Sequence, residues 1–269
     1  MKRLFVLTLI VWLFTIADAQ IPSHFLACEV DASDTVRLQQ QLAIVSASTL
    51  KDLPASEEKR LRAIFRRLFN RHLKYYKQGS TLADLLQTNH YDCLSGSMLF
   101  AYVLQQDGFR VNIYETNIHI FLTVFLSSGK EVLIETTDPI GGLITSPALV
   151  SKRKAEYMQR FAAYQETETS HFRSEFHIMR VIPFEALADL QCFNCAVAAY
   201  NRQQFAIAAD FLFKSPTLMN TERGMELMVL ALEGILAHHH LTPEKQLALW
   251  ETIDAYKVKL KKLPKLAIY

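Results

Sequence analysis

The sequence predicts an α+β fold in which a cysteine-bearing helix packs on an antiparallel sheet and α-helical hairpins follow. Three observations predict it. Apolar residues recur at helical spacing through most of residues 34–107. From Val111 to Thr136 the pattern changes to β-branched and aromatic runs interrupted by Ser127-Ser128-Gly129-Lys130. Beyond Pro183 every segment reads as helix again. Half of the 269 residues are apolar and 21% are charged, a balance that folds rather than stays disordered. The net charge of +2 gives no electrostatic pull toward nucleic acid, so a nucleic-acid partner is not expected.

The chain opens with basic Lys2-Arg3, an apolar run from Leu4 to Ile16, and small residues at Ala17 and Ala19. This pattern predicts a secretory signal peptide over residues 1–19, cleaved after Ala19, and hence a secreted or periplasmic protein. The apolar run is too short to span a bilayer comfortably, and no later segment reads as a membrane span. Removing it would take Lys2, Arg3 and Asp18 and leave a nearly neutral chain. Residues 20–182 are then expected to form the main domain and 183–269 a helical module. The four cysteines are Cys28, Cys93, Cys192 and Cys195, and an oxidising compartment permits bridges among them.

Taken in order, Asp34 caps a first helix running to Thr49, with Val36, Leu38, Leu42, Ile44 and Val45 as a partial stripe. Pro54 ends it. Ala55 to Lys77 reads as a longer helix carrying Leu61, Ile64, Phe65, Leu68, Phe69, Leu73 and Tyr76 on one side and many Lys and Arg on the others. Such a basic face is expected to be solvated rather than laid on a membrane. A short helical turn spans Thr81 to Gln87. Leu94 to Asp107 is a third helix, closed by Gly108. Strands are expected over Val111–Tyr114, Ile118–Leu126 and Glu131–Thr136, then a loop from Pro139 through Gly141-Gly142. Ser151 to Ser174 reads as helix with Met158, Phe161 and Tyr164 as apolar marks, and Phe176 to Val181 as strand. Helices follow over roughly 184–201, 203–214, 221–238 and 243–261.

The segment Asn89-His90-Tyr91-Asp92-Cys93-Leu94-Ser95-Gly96 puts a thiol at the start of a helix. Backbone N–H groups and the helix dipole there favour a thiolate, and the same N–H groups can receive the oxygen charge of a tetrahedral intermediate. Such a thiol needs a base, and His119 at the start of a strand can supply it. A carboxylate must then orient the imidazole. Asp138 and Glu135, at the end of the returning strand, are the candidates. If Ser128 and Gly129 are the central residues of the turn, His119 faces Asp138 and Glu135 lies on the other side of the sheet. That register favours Asp138; one extra residue in the turn reverses the choice, because side chains alternate strictly.

Cys93 at a helix start, followed by Ser97, Leu99, Leu104 and Gly108-Phe109, resembles the transglutaminase-like superfamily, a papain-related group. His119-Ile120-Phe121 resembles that family's His-aromatic strand start. Asp138-Pro139 with Gly141-Gly142 resembles a bacterial branch of it, and Glu135-Thr136-Thr137 fits the family's acid-x-Thr form. Phe121 stands where the family usually has Trp. The resemblance covers roughly residues 55–145. It implies a papain-like core and acyl-transfer chemistry without a cofactor or metal: hydrolysis, deamidation or cross-linking of a protein or peptide substrate through a Cys93 thioacyl intermediate. The same scaffold without activity would be a protein- or peptide-binding module.

In the helical module, Cys192, Cys195, Ala196 and Ala199 share one face of a helix, and Phe205, Ala208, Leu212 and Ser215 one face of the next. The pairing resembles a tetratricopeptide-like repeat, a surface that could hold a protein partner, and is expected to pack on the main domain. Cys192-Phe193-Asn194-Cys195 has redox or metal spacing, but no second pair accompanies it, and packing is the expected role. His238-His239-His240 is expected to end a helix.

Overall fold

The computed structural model describes residues 32–116, 119–164, 179–238 and 240–263. The expected signal peptide over residues 1–19, and Cys28, lie outside the described residues. Five helices and seven short strands come first. They are α1 (Ala32–Leu50), α2 (Glu57–Arg71), β1 (Tyr75–Tyr76), α3 (Leu82–Thr88), β2 (His90–Tyr91), α4 (Cys93–Gln106), β3 (Arg110–Thr116), β4 (Ile120–Phe125), β5 (Glu131–Ile134), β6 (Leu143–Ile144), α5 (Pro147–Tyr164) and β7 (Met179–Ile182). Helices α6 (Ala186–Asn201), α7 (Phe205–Phe213), α8 (Glu222–His238) and α9 (Pro243–Leu260) follow. The fold is α+β, with a five-stranded antiparallel sheet in the order β6-β5-β4-β3-β7. Among the described residues no helix is long and apolar enough to cross a membrane.

The sheet has helices on both faces, and strand alternation assigns its side chains to them. Ile120, Leu122, Val124, Val132 and Ile134 face a core shared with α1 to α4. Phe121, Leu133 and Ile144 face Val150 and Tyr157 of α5. Helix α4 is buried from Leu94 to Leu104, so it is a central helix rather than an amphipathic one. The basic helix α2 buries Leu61, Ile64, Phe65, Leu68 and Phe69. Its charges are used locally. Arg67 Nη1 donates to the carbonyl of Thr49 at 2.7 Å and Arg71 to that of Ser48 at 3.3 Å, covering carbonyls at the end of α1.

The expected helix 55–77 stops at Arg71. Backbone pairing wins over periodicity there: Tyr75 N donates to Asn89 O at 3.1 Å and Lys77 N to Tyr91 O at 2.8 Å. Tyr75 and Tyr76 thereby form a parallel pair with His90 and Tyr91, and both tyrosines are exposed. Met158, expected as an apolar mark of α5, is 53% exposed; the helix buries Val150 and Tyr157 instead. Of the strand expected over Phe176–Val181, residues 176–178 lie outside the described residues, and β7 begins at Met179. Strand β6, within the expected loop, is an addition.

Helix α6 enters the main core with Leu187, Ala188 and Leu190. It then forms, with α7 and α8, a second cluster around Cys192, Ala196, Ala199, Ala208 and Leu212. Glu115 of β3, 2% exposed, is bound by Arg180 of β7 at 2.8 Å and by Arg223 of α8 at 2.5 Å, which ties the helical module to the sheet. Cys192 is disulfide-bonded, whereas Cys195 is not in a disulfide and accepts from Gln191 Nε2 at 3.8 Å, so the two do not bridge one another. His238 closes α8 with its ring stacked 5.3 Å from Phe205; His239 lies outside the described residues.

Candidate active site

The thiol is positioned by a cap. Asp92 is extended, and its Oδ1 accepts from the amides of Leu94 and Ser95, both at 2.9 Å, while Ser95 Oγ accepts from Asp92 N at 2.9 Å. This reciprocal box starts α4 at Cys93. Gly79 N donates to Asp92 Oδ2 at 3.1 Å, bracing the cap from the loop after β1. Burial, the largest influence, raises the Asp92 pKa against these bonds. The Leu94 and Ser95 amides are occupied by Asp92, and the Cys93 amide precedes them at the helix start.

Contact between α4 and the end of β5 fixes where that thiol lies. A Cβ at Gly96 would stand 3.1 Å from Thr136 Oγ1 and 3.2 Å from its Cβ. A side chain here would press on Thr136, which would have to give by a few tenths of an ångström. Thr136 Oγ1 donates to the carbonyl of Cys93 at 3.4 Å and lies 3.3 Å from Ser97 Oγ.

His119 sits just ahead of β4. Its amide donates to Thr116 Oγ1 at 2.9 Å, and its carbonyl accepts from Thr116 N and Oγ1, both at 2.8 Å. Its ring is hydrogen-bonded through Nε2 to Glu135 Oε2 at 2.7 Å, and the Cys93 side chain is near enough to raise the pKa of the ring. With Nε2 engaged by the carboxylate, Nδ1 is the nitrogen left for sulfur.

The acid therefore differs from the register-based expectation. The observed hairpin pairs Phe125 with Glu131 and Leu122 with Ile134. The expected one paired Leu126 with Glu131. The chain turns through Ser127, Ser128 and Gly129, with Gly129 N donating to Leu126 O at 2.9 Å and Gly129 at φ 79°. That is the longer hairpin loop, a turn closed by a left-handed glycine, rather than the two-residue one. The one-residue change flips Glu135 onto the face of His119 and Phe121. Asp138 instead serves its own loop: Oδ1 accepts from Ile140 N at 3.0 Å and Gly141 N at 2.8 Å. Cys93, His119 and Glu135 are brought together; Asp138 is not bonded to His119.

Glu135 is 3% exposed and fully engaged. Oε1 accepts from Thr137 N at 3.0 Å and Thr137 Oγ1 at 2.7 Å; Oε2 accepts from His119 and from the Tyr157 hydroxyl. Burial favours its neutral form, but these bonds and the His119 charge outweigh burial and hold the carboxyl below its usual range. Burial alone would lower the His119 pKa. The hydrogen bonds to Cys93 and Glu135, with their charges, outweigh it and push the ring up to about 10. The Tyr157 phenol is raised by burial and then by the Glu135 charge, so it remains a donor. Tyr76, on β1, has its phenol raised by partial burial and then by charge on Cys93 and Asp92.

Sulfur, imidazole and buried carboxylate in series are groups that could act chemically as nucleophile, base and orienting group. Among the described residues no group of three or more His, Cys, Asp or Glu is arranged to hold a metal ion. Sequence reasoning left Tyr157 and Asp92 without roles. Asp92 carried a readable signal, an N-cap residue at the start of the helix. Tyr157 carried none, because its partner is more than twenty positions away on a strand whose register was off by one. Comparison with protein-family models, curated proteins and solved structures finds no match.

Proposed function

We propose that the chain is a cysteine enzyme of transglutaminase-like, papain-related type, acting on peptide or carboxamide bonds. The observation that carries the reading is the His119 imidazole, held at 2.7 Å by buried Glu135 and raised in pKa by the Cys93 side chain as well. Sulfur attacks the carbonyl carbon, forming a C–S bond. The developing oxyanion lies against the Cys93 amide at the helix start. His119 passes its proton to the departing nitrogen as the C–N bond breaks, leaving a thioester. Water or an amine, deprotonated by His119, then displaces sulfur, giving hydrolysis, deamidation or transfer. Glu135 stays ionised and holds the ring in orientation; the expectation that Asp138 would do so is replaced.

Iodoacetamide labelling of the full chain, followed peptide by peptide, tests this. Near pH 6, Cys93 is expected to react faster than free cysteine, because a neighbouring base and the helix start activate it as a nucleophile. Cys195 provides an internal control. His119→Ala should abolish the advantage. Equal Cys93 rates in the two proteins would remove the enzymatic reading and leave a peptide-binding module on the same scaffold.

A further inference from the structure

We infer that Tyr157 is a positioning residue of this site: its hydroxyl donates to Glu135 and fixes the carboxylate that fixes His119. The inference rests on the cysteine-enzyme reading and deepens it.

Tyr157 projects from α5 on the sheet face opposite α4. Its ring packs 4.7 Å from Phe121 and 5.3 Å from His119, and the residue is 8% exposed. A Glu carboxylate rotates about a broad terminal torsion, so holding one oxygen toward His119 requires contacts on both. Thr137 holds Oε1, but it lies two residues along the same chain and moves with Glu135. Besides His119 itself, Tyr157 is the group that grips Oε2, and it comes from a separate helix. The four donors from Thr137, His119 and Tyr157 fill the lone-pair capacity of the carboxylate. Its direction toward His119 is therefore set by the position of α5. Arg153, one turn earlier on α5, has its pKa raised first by Tyr157 and, among further causes, by the Glu135 charge.

The titratable groups that act on Glu135 electrostatically are Tyr76 from β1, Tyr91 from β2, His119 ahead of β4, and Tyr157 with Arg153 from α5, and His119 is in turn influenced by Cys93 from α4. Of these, Tyr157 can lose its polar atom without losing shape. Tyr157→Phe keeps the ring contacts and removes only the hydroxyl. Oε2 then has one donor fewer, and the carboxylate becomes more basic and less fixed.

The Glu135 carboxyl midpoint, read by NMR on carbon-labelled glutamate, is expected to rise by about one pH unit in Tyr157→Phe. Cys93 alkylation near pH 6 should slow about tenfold, the worth of one hydrogen bond to a charged group. A purely packing role would leave both unchanged, and superimposable titrations and rates overturn the inference. A wild-type advantage over His119→Ala that persists beside an unaffected Tyr157→Phe sinks only this inference; loss of that advantage sinks the enzymatic reading itself. The wild-type protein offers a second reading should the variant not fold. The Tyr157 hydroxyl proton should be visible by NMR as a protected downfield signal, and its absence refutes the inference.

Discussion

Glu135→Gln isolates the charge of the carboxylate from its shape. In the folded protein His119 Nε2 stands 2.7 Å from Glu135 Oε2, and neither side chain is more than 19% exposed. Taking the charge centres as about 4 Å apart in a medium of effective dielectric about 20, their attraction is about 4 kcal/mol. At 1.36 kcal/mol per pH unit this is about 3 units of His119 pKa. The glutamine retains an oxygen to accept the Nε2–H, so the loss is mainly Coulombic. The His119 midpoint, about 10 in the native protein, is expected to fall to about 7 in the variant. Nitrogen-labelled imidazole followed by NMR titration measures it directly. Stability shifts with it. A ring whose pKa is raised from 6.5 contributes stability that is fully present below 6.5 and lost as pH rises through about 10. Glu135, held below 4.5, contributes stability present above 4.5 and lost as pH falls. Urea unfolding of Glu135→Gln should therefore show a flatter dependence at both ends. A variant midpoint within about one unit of the native one would refute the assignment of Glu135 as the partner that sustains the imidazolium.

Two further outcomes follow from the same geometry. Asp138→Ala should leave the His119 midpoint where it is and speed amide exchange at Ile140 and Gly141, whose N–H groups it accepts at 3.0 and 2.8 Å; a falling His119 midpoint would restore Asp138 as the partner. Gly96→Val puts branched methyls where even a Cβ meets Thr136 at 3.1 Å, so urea unfolding should show a loss of about 1–3 kcal/mol and Cys93 alkylation should slow, whereas native stability would contradict the close approach.

The parts of the site that were legible in the sequence are those set by local rules. A thiol behind Asp92 at a helix start is a capping pattern, and His119 opens an apolar strand. The acid was not legible in the same way, since it depended on one residue in a turn. Ser127-Ser128-Gly129-Lys130 accommodates a two-residue loop or a longer one closed by left-handed Gly129. Alternation converts that single step into opposite faces for Glu135. The helix of α5 was legible, but its buried face was hidden for another reason. Its buried marks, Val150 and Tyr157, are seven residues apart among charged neighbours, and the more apolar Met158 faces out. Strand β1 escaped because Leu73 and Tyr76 continue the period of α2, while the hydrogen bonds that unwind it come from Asn89 and Tyr91. Tertiary pairing overrides propensity in such cases.

The end of β5 explains why one register carries the whole site. Thr136 points toward α4 and bonds the carbonyl of Cys93, while its neighbours Glu135 and Thr137 bond one another on the His119 side. Consecutive residues thus hold the thiol's helix with one side chain and the imidazole's carboxylate with the next. Sliding β5 by one position would exchange these duties, presenting a carboxylate to the packed first turn of α4 and a hydroxyl to the imidazole. Burying a carboxylate against Gly96 without donors would cost more than the slip could recover. The packing that brings α4 against the sheet therefore selects the same register that supplies His119 with its acid.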